Sequence, residues 1–167
     1  MFLKVDGAPG ESADKAHKNE IPLATFGFNV TQSGAGAPAG GAGAGKAAFE
    51  DLTVVMETNK ASPKLFLWTA NGQHVKEATL SVRKAGGRAG DFLTVKITDV
   101  LVSGYEILGG EDRSSNAPSR TTSSANPVER VKLNYAKIEM TYKQTKADGS
   151  LGTPVNTGYD LQKNAKV

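Results

Sequence analysis

The sequence predicts a mainly β protein, in which antiparallel strands form a closed or nearly closed barrel beside one short helix. Apolar residues recur at every second position in most apolar segments, which is the period of a half-buried strand. Two of the longer segments change phase midway, as strands do when they carry a bulge or bend from one sheet onto another. The 167 residues, 38% of them hydrophobic, suit a single domain spanning residues 1–167.

Six segments carry this alternation, and clusters of Gly, Pro, Asn or Ser bound most of them. The phase changes fall between Ile97 and Val100 in the fifth segment and between Tyr135 and Ala136 in the sixth. The predicted strands are residues 2–6, 23–32, 49–57, 75–84, 92–107 and 131–143.

The second predicted strand has two contrasting faces. Alternation puts an apolar set on one face, comprising Ala24, Phe26, Phe28 and Val30. The other face is small and polar, comprising Thr25, Gly27, Asn29 and Thr31.

One helix of about ten residues is predicted between the third and fourth strands. Ser62 is a suitable N-cap, Pro63 is tolerated in the first turn, and Asn71-Gly72 supplies a left-handed stop. Trp68, the only Trp of the chain, is expected to anchor the helix by packing rather than to bind a ligand.

Two long loops interrupt the strands, at residues 33–46 and 111–127. The first is rich in Gly and Ala, and the second in Ser and Thr. Neither composition can build a core of its own, so we expect both loops to be exposed, and long exposed loops often carry function.

Charge and composition exclude several classes of protein. Lys and Arg exceed Asp and Glu by only 3, and the charges are scattered, so we expect no nucleic-acid partner. The chain contains no Cys, which removes disulfides and thiolate sites. No apolar run reaches membrane length and a polar residue occurs by position 4, so neither membrane insertion nor a secretory signal is expected.

Residue patterns that would indicate catalysis are incomplete. The segment 40–47, GGAGAGKA, resembles a phosphate-binding loop, but Ala47 replaces the Ser or Thr that ligates Mg²⁺, and a strand pattern follows. His17 and His74 have no partner at ligand spacing, so both are expected to be solvent-exposed. Adjacent carboxylates such as Glu50 and Asp51 are expected to be solvated or to cap backbone groups of a loop. We therefore expect a binding or structural protein rather than an enzyme, without metal or cofactor.

Nine short motifs follow one another along nearly the whole chain. They are 10–12 (GES), 14–21 (DKAHKNEI), 31–34 (TQSG), 45–46 (GK), 60–63 (KASP), 82–87 (VRKAGG), 109–113 (GGEDR), 129–137 (ERVKLNYAK) and 158–161 (GYDL). The ordered set is more specific than any one of its members. It resembles one family, the haemolysin-coregulated protein (Hcp) family of the bacterial type VI secretion system.

The resemblance implies a tight antiparallel β-barrel of two sheets with one flanking helix. It also implies that the chain forms a homo-hexameric ring and that such rings stack into an inner tube, which is expelled. A spike trimer (VgrG-like) would cap the tube, and a contractile sheath on a baseplate would surround it. Small effector proteins would travel in the lumen. The subunit would be cytoplasmic before assembly and then leave the cell without a signal peptide.

Residues for these roles follow from the resemblance. The small polar face of the second strand (Thr25, Gly27, Asn29 and Thr31) would line the lumen, although an outer solvent-facing strand fits the pattern equally well. The loop after that strand would reach a neighbouring ring, which involves Ser33, Gly34, Gly40, Gly45 and Lys46. Charged positions would either bridge subunits or be solvated, namely Lys15, Glu20, Arg83 and Glu129.

The chain departs from the family pattern at residues 114–127, a polar insertion expected to decorate the surface. A different class of protein also fits the residue pattern. It is a monomeric β-barrel binding module, or a secreted effector, that uses its two long loops for ligand contact.

Overall fold

A computed structural model of the chain describes residues 1–32, 47–84, 90–108 and 127–167. These residues form ten strands and one helix. The elements are β1 (Phe2–Val5), β2 (Ile21–Gly27), β3 (Val30–Gln32), β4 (Ala47–Phe49), β5 (Leu52–Glu57), α1 (Ser62–Asn71), β6 (His74–Arg83), β7 (Asp91–Ile107), β8 (Val128–Thr145), β9 (Leu151–Asp160) and β10 (Ala165–Lys166).

Six of the strands close into an antiparallel barrel in the order β8, β5, β2, β1, β6 and β7, and pairing between β7 and β8 completes the ring. Strands β9 and β10 extend the sheet outward from β8, while β3 and β4 form a separate two-stranded sheet. The prediction of a mainly β barrel with one short helix is confirmed.

Strand β8 pairs with two different strands along one edge, because it is longer than either of them. Its first half pairs with β5, from Val128 to Leu133. Its second half pairs with β9, from Lys137 onward. Strand β9 therefore takes over this edge of β8 beyond the end of β5.

The two predicted phase changes lie opposite each other on the paired strands β7 and β8. Ile97 pairs with Ile138 and Val100 pairs with Tyr135, and all four side chains are buried. Both strands switch faces together without a register shift between these pairs, and Asp99 adopts φ 52° at the switch. These strands therefore bend here. The register shift between them lies further along, at Val102/Gly104.

The second predicted strand, residues 23–32, is wrong in its extent, because β2 ends at Gly27 and β3 belongs to another sheet. A register shift between Leu23 and Thr25 also turns the strand, so that Ile21 and Leu23 enter the core. Of the predicted apolar set, Ala24, Phe26 and Phe28 are only half-buried, and Val30 is 45% exposed.

Helix α1 ends as predicted but begins differently. Gly72 adopts φ 68°, and its N–H donates to the carbonyl of Trp68 at 3.0 Å. At the other end Ala61 occupies the N-cap position with no side-chain cap, so the prediction that Ser62 is the N-cap is wrong. The hydroxyl of Ser62 instead donates to buried Glu129 at 2.7 Å.

The core lies inside the barrel and under the helix. It is built from aliphatic side chains of every barrel strand together with Trp68, which is 3% exposed, so its predicted packing role is confirmed. The largest fully buried aliphatic side chains include Leu3, Ile21, Leu52, Met56, Leu65, Leu80, Ile97 and Leu133.

Gly10→Ala is expected to destabilise the subunit by about 1–3 kcal/mol, since overpacking a tight contact has that cost. A Cβ at Gly10 would lie 2.4 Å from the backbone oxygen of Glu20. Backbone hydrogen bonds prevent an easy shift, because the N–H of Gly10 donates to Asn19 at 2.7 Å and the N–H of Ser12 donates to Glu20 at 2.9 Å.

Gly27→Ala is the matched control, since a Cβ at Gly27 meets nothing within 4 Å. It should change stability by less than about 0.5 kcal/mol in urea unfolding. Equal stability of the two variants would contradict the close approach at Gly10.

Candidate functional site

The four residues of the predicted channel-lining face are all exposed in the subunit. Three of them, Thr25, Gly27 and Asn29, line one shallow groove of about 360 Å³, whereas Thr31 lies beyond it on β3. The structure thus brings together three of the four. We call this the polar groove, and its other lining residues are Phe26, Phe28, Glu50, Asp51, Thr53 and Val55.

Hydrogen bonds hold the two carboxylates of the polar groove in place. Asp51 accepts from the hydroxyl of Ser103 at 2.5 Å and from the amide of Asn134 at 2.8 Å. Glu50 accepts from the amide of Asn29 at 3.3 Å. Solvation or capping is the role expected from the adjacency of this pair in the sequence, whereas in the structure both residues line one groove. The groove therefore carries two carboxylates, and none of the described residues that line it is a cation.

Tyr135 ties the polar groove to the core. Its hydroxyl donates to the backbone carbonyl of Glu50 at 3.1 Å. Burial, together with the nearby charge of Asp51, raises the pKa of Tyr135 to about 12. The phenol therefore keeps its proton at neutral pH and anchors the turn between β4 and β5.

A second groove, of about 370 Å³, lies between the β3–β4 sheet and the β8–β9 pair. Phe49 stacks on Tyr159 at its base, with 5.2 Å between ring centroids. We call this the apolar groove, and it is lined by Phe28, Val30, Phe49, Ile138, Met140, Thr157, Gly158, Tyr159 and Lys166.

The apolar face of β8–β9 continues beyond this groove as a cross-strand pair. Tyr142 is 47% exposed and pairs with Val155, which is 69% exposed. Together with Val30 and Met140 they form an exposed apolar surface, a feature that is typical of interaction sites.

His17 was expected to be exposed, and this prediction is wrong. The side chain is buried and stacks on Phe2, with 4.4 Å between ring centroids. Its Nδ1 lies 2.8 Å from Oε2 of Glu20, and its Nε2 lies 3.0 Å from Oδ1 of Asp91. His74 is exposed as expected and lies 2.8 Å from Asp99.

Glu129 is neither solvated nor exposed, which corrects the expectation for that position. It is 0% exposed, and it accepts hydrogen bonds from Ser62 and Tyr105, each at 2.7 Å. Burial, followed by the hydrogen bond to Glu129, raises the pKa of Tyr105 to about 12.

Arg83 and Glu20, two more of the charged positions, bind within the subunit. Arg83 reaches Asp14 at 3.3 Å and Asp91 at 3.2 Å. Lys15 is exposed.

The residues predicted for ring stacking, Ser33, Gly34, Gly40, Gly45 and Lys46, lie outside the described residues, as does most of the second long loop, including 114–126. A phosphate-binding loop is followed by the N-terminus of a helix. Lys46 is instead followed by strand β4, as expected for a segment that is not such a loop.

The described ranges contain no group of three or more His, Asp or Glu residues placed to hold a metal ion. They also contain no helix with the length and hydropathy needed to cross a bilayer.

Comparison with known proteins gives the family. A model described as "Type VI secretion system effector, Hcp" matches residues 2–142. The chain is similar to Protein hcp1 of Pseudomonas aeruginosa strain PAO1, at 35% identity over 171 residues, which covers 100% of this chain and 98% of that one.

Solved structures agree in fold. A type six secretion system protein superposes with a TM-score of 0.87 at 26% identity, covering 99% of this chain and 98% of the other. Hcp1 from Salmonella typhimurium superposes with a TM-score of 0.74 at 28% identity, covering 99% and 97%. With the barrel, the flanking helix and the family match in agreement, the chain belongs to the Hcp family of type VI secretion system proteins.

Proposed function

We propose that this chain is the structural subunit of a type VI secretion tube, with six copies in a ring and rings stacked around a central lumen. Membership of the Hcp family over residues 2–142 is the observation that carries this proposal. A spike trimer, a contractile sheath and a baseplate are the partners, and small effector proteins are the cargo. The subunit is cytoplasmic before assembly and is then expelled with the tube.

The polar groove supports a lumen position for the face comprising Thr25, Gly27, Asn29 and Thr31. These side chains are small and exposed, and the neighbouring carboxylates of Glu50 and Asp51 keep the surface hydrated. A wall of this kind offers a moving cargo protein few apolar contacts, so cargo can slide without adhering.

Exposed apolar side chains support self-assembly. In an isolated subunit, the apolar surface around Tyr142 and Val155 is exposed to water. Association of subunits would bury this surface, which is favourable. A six-fold ring is a heterologous assembly, in which each copy presents two different patches. Segment 33–46 is the proposed contact between rings, and residues 1–167 form one domain.

Light scattering on a sizing column, with negative-stain images of the same peak, tests the proposal. We expect a mass six times that of the 17.5 kDa chain and annular particles. A clean monomer at tens of micromolar would favour the alternative of a monomeric binding module or secreted effector.

Single-cysteine variants test the lumen position, because the natural chain has no Cys to interfere. Thr25→Cys and Asn29→Cys in assembled tubes should react nearly completely with a small maleimide. They should react little with a maleimide carrying a large polyethylene glycol, since the lumen admits only the smaller reagent. Mass spectrometry of the labelled chains measures both.

The two reagents separate the three placements of this face. Reaction with both would place the strand on the outer surface, and reaction with neither would place it in a subunit interface. Ala70→Cys on the exposed side of α1 is the reference for accessibility, and unassembled protein controls for intrinsic reactivity.

A further inference from the structure

The chain carries all of its sulfur in three methionines, since it contains no Cys. Two of them are shielded, because Met56 is 1% exposed in the core and Met1 is partly buried against it. Met140 is 37% exposed. An oxidant must reach a sulfur atom to react with it, so Met140 is the thioether that a dissolved oxidant meets first.

The position of Met140 on β8 explains this exposure. Ile138 and Met140 lie two positions apart and so share one face of the strand. Ile138 is buried, and it pairs with Tyr159, whose ring stacks on Phe49. Met140 instead pairs with Thr157, which is exposed. Met140 therefore lies where the covered part of this face ends and the exposed part begins.

The apolar groove and the exposed apolar surface meet at Met140. Its neighbours in the groove are mainly aromatic and aliphatic, and of the described residues that line the groove only Lys166 is charged. Two positions further along the same face lies the exposed pair of Tyr142 and Val155. A polar group added to the sulfur would therefore lie within the surface that the proposed self-assembly buries.

Hydrogen peroxide can add such a group. The sulfur attacks one peroxide oxygen, and an S–O bond forms as the O–O bond breaks. The departing hydroxide takes the proton from the transferred oxygen and leaves as water. The sulfur loses two electrons, which the peroxide gains. The product, methionine sulfoxide, is polar, whereas the thioether is only a weak hydrogen-bond acceptor.

We propose that Met140 is the oxidation site of this chain, and that its conversion to the sulfoxide by a peroxide weakens self-association through the exposed apolar surface. Water binds to the sulfoxide oxygen, and docking of another copy on this surface would remove that water. The first part of the proposal stands on the exposure of the three methionines, whereas the second part rests on the proposed self-assembly.

Peptide mapping tests the site. The folded, full-length chain is treated with graded hydrogen peroxide, digested, and analysed by mass spectrometry for peptides that gain one oxygen atom. Met140 should be oxidised at least about tenfold faster than Met56, because the barrel shields the buried sulfur. In urea the two rates should become similar, which controls for intrinsic reactivity. Equal rates in the folded chain, or Met1 as the first to react, would overturn the assignment.

Met140→Leu tests the effect on association, because leucine is apolar and has no sulfur. Each chain is compared with its own untreated sample by light scattering on a sizing column. Peroxide should raise the dissociation constant of the wild-type assembly about tenfold, the order expected for burying one additional polar group. The same treatment should not shift Met140→Leu from its own untreated value. An equal response of both chains would assign the effect to another residue and overturn the second part.

Reduction of the sulfoxide distinguishes this modification from general damage. The two classes of methionine sulfoxide reductase, one for each epimer, should together restore the association of the oxidised wild type. Met140→Gln should associate more weakly than Met140→Leu without any peroxide, because its amide is polar at the same position. Weak association that persists after complete reduction, or equal association of the two variants, would contradict the second part.

The outcomes separate this proposal from that of the tube. A wild-type chain that is monomeric before treatment would contradict the ring and, with it, the second part, while peptide mapping would still decide the oxidation site. A ring that forms before treatment and persists with Met140 fully oxidised would uphold the ring and overturn the second part.

Discussion

Glu129→Ala is expected to destabilise the subunit by about 3–5 kcal/mol, one of the largest losses from a single substitution in this chain. The carboxylate is 0% exposed and is the shared acceptor of two hydroxyls, those of Ser62 and Tyr105. Alanine would leave both hydroxyls without this acceptor and open a cavity between the helix and the barrel wall. Urea unfolding followed by far-ultraviolet circular dichroism measures the loss.

Glu129→Gln is the matched control, because it keeps the volume and one carbonyl acceptor. Its loss of stability should be smaller, about 1–2 kcal/mol, because the side-chain carbonyl still accepts one of the two hydrogen bonds, although without the negative charge. Tyr105 should also lose its proton at a lower pH in this variant, because the hydrogen bond and charge of Glu129 contribute to its raised pKa. Wild-type stability of Glu129→Ala would refute a buried, shared carboxylate.

Trp68→Ala is expected to destabilise the subunit by about 3–5 kcal/mol, the range for deleting a large buried aromatic side chain. The ring is 3% exposed and packs against Gly7, where a Cβ would lie 3.5 Å from it. Lys64 lies 5.2 Å from the ring centroid on the same helix. Removing the ring therefore frees the helix from the end of the barrel. Because this is the only Trp, unfolding must be followed by circular dichroism.

Phe66→Ala on the same helix is the control. Phe66 is 60% exposed and meets Tyr105 in an edge-on arrangement, with 5.8 Å between ring centroids, so its removal should cost less than about 1 kcal/mol. Equal losses in the two variants would mean that the helix docks differently.

The candidate site was only partly predictable. Alternation around Thr25 predicted an exposed polar face correctly, because side-chain direction in a strand depends on adjacent residues alone. The apolar groove could not be predicted, because its stacked rings, Phe49 and Tyr159, lie 110 positions apart in the sequence. They meet only because β9 pairs with the second half of β8. Asp51 was misjudged for the same reason, because its donors Ser103 and Asn134 come from distant strands.

Local signals alone determined the class of fold, the presence of α1 and the burial of Trp68. The period-two alternation of apolar residues and the left-handed conformation of Gly72 depend on neighbours in the sequence, so both can be predicted without a structure. Tertiary structure decided where β2 ends and what happens to polar side chains. His17 and Glu129 both lie among charged neighbours that suggest solvent, yet both are buried because partners far along the chain satisfy their hydrogen bonds. Desolvating such a group is costly unless the partner is already placed, and only the closed barrel places it.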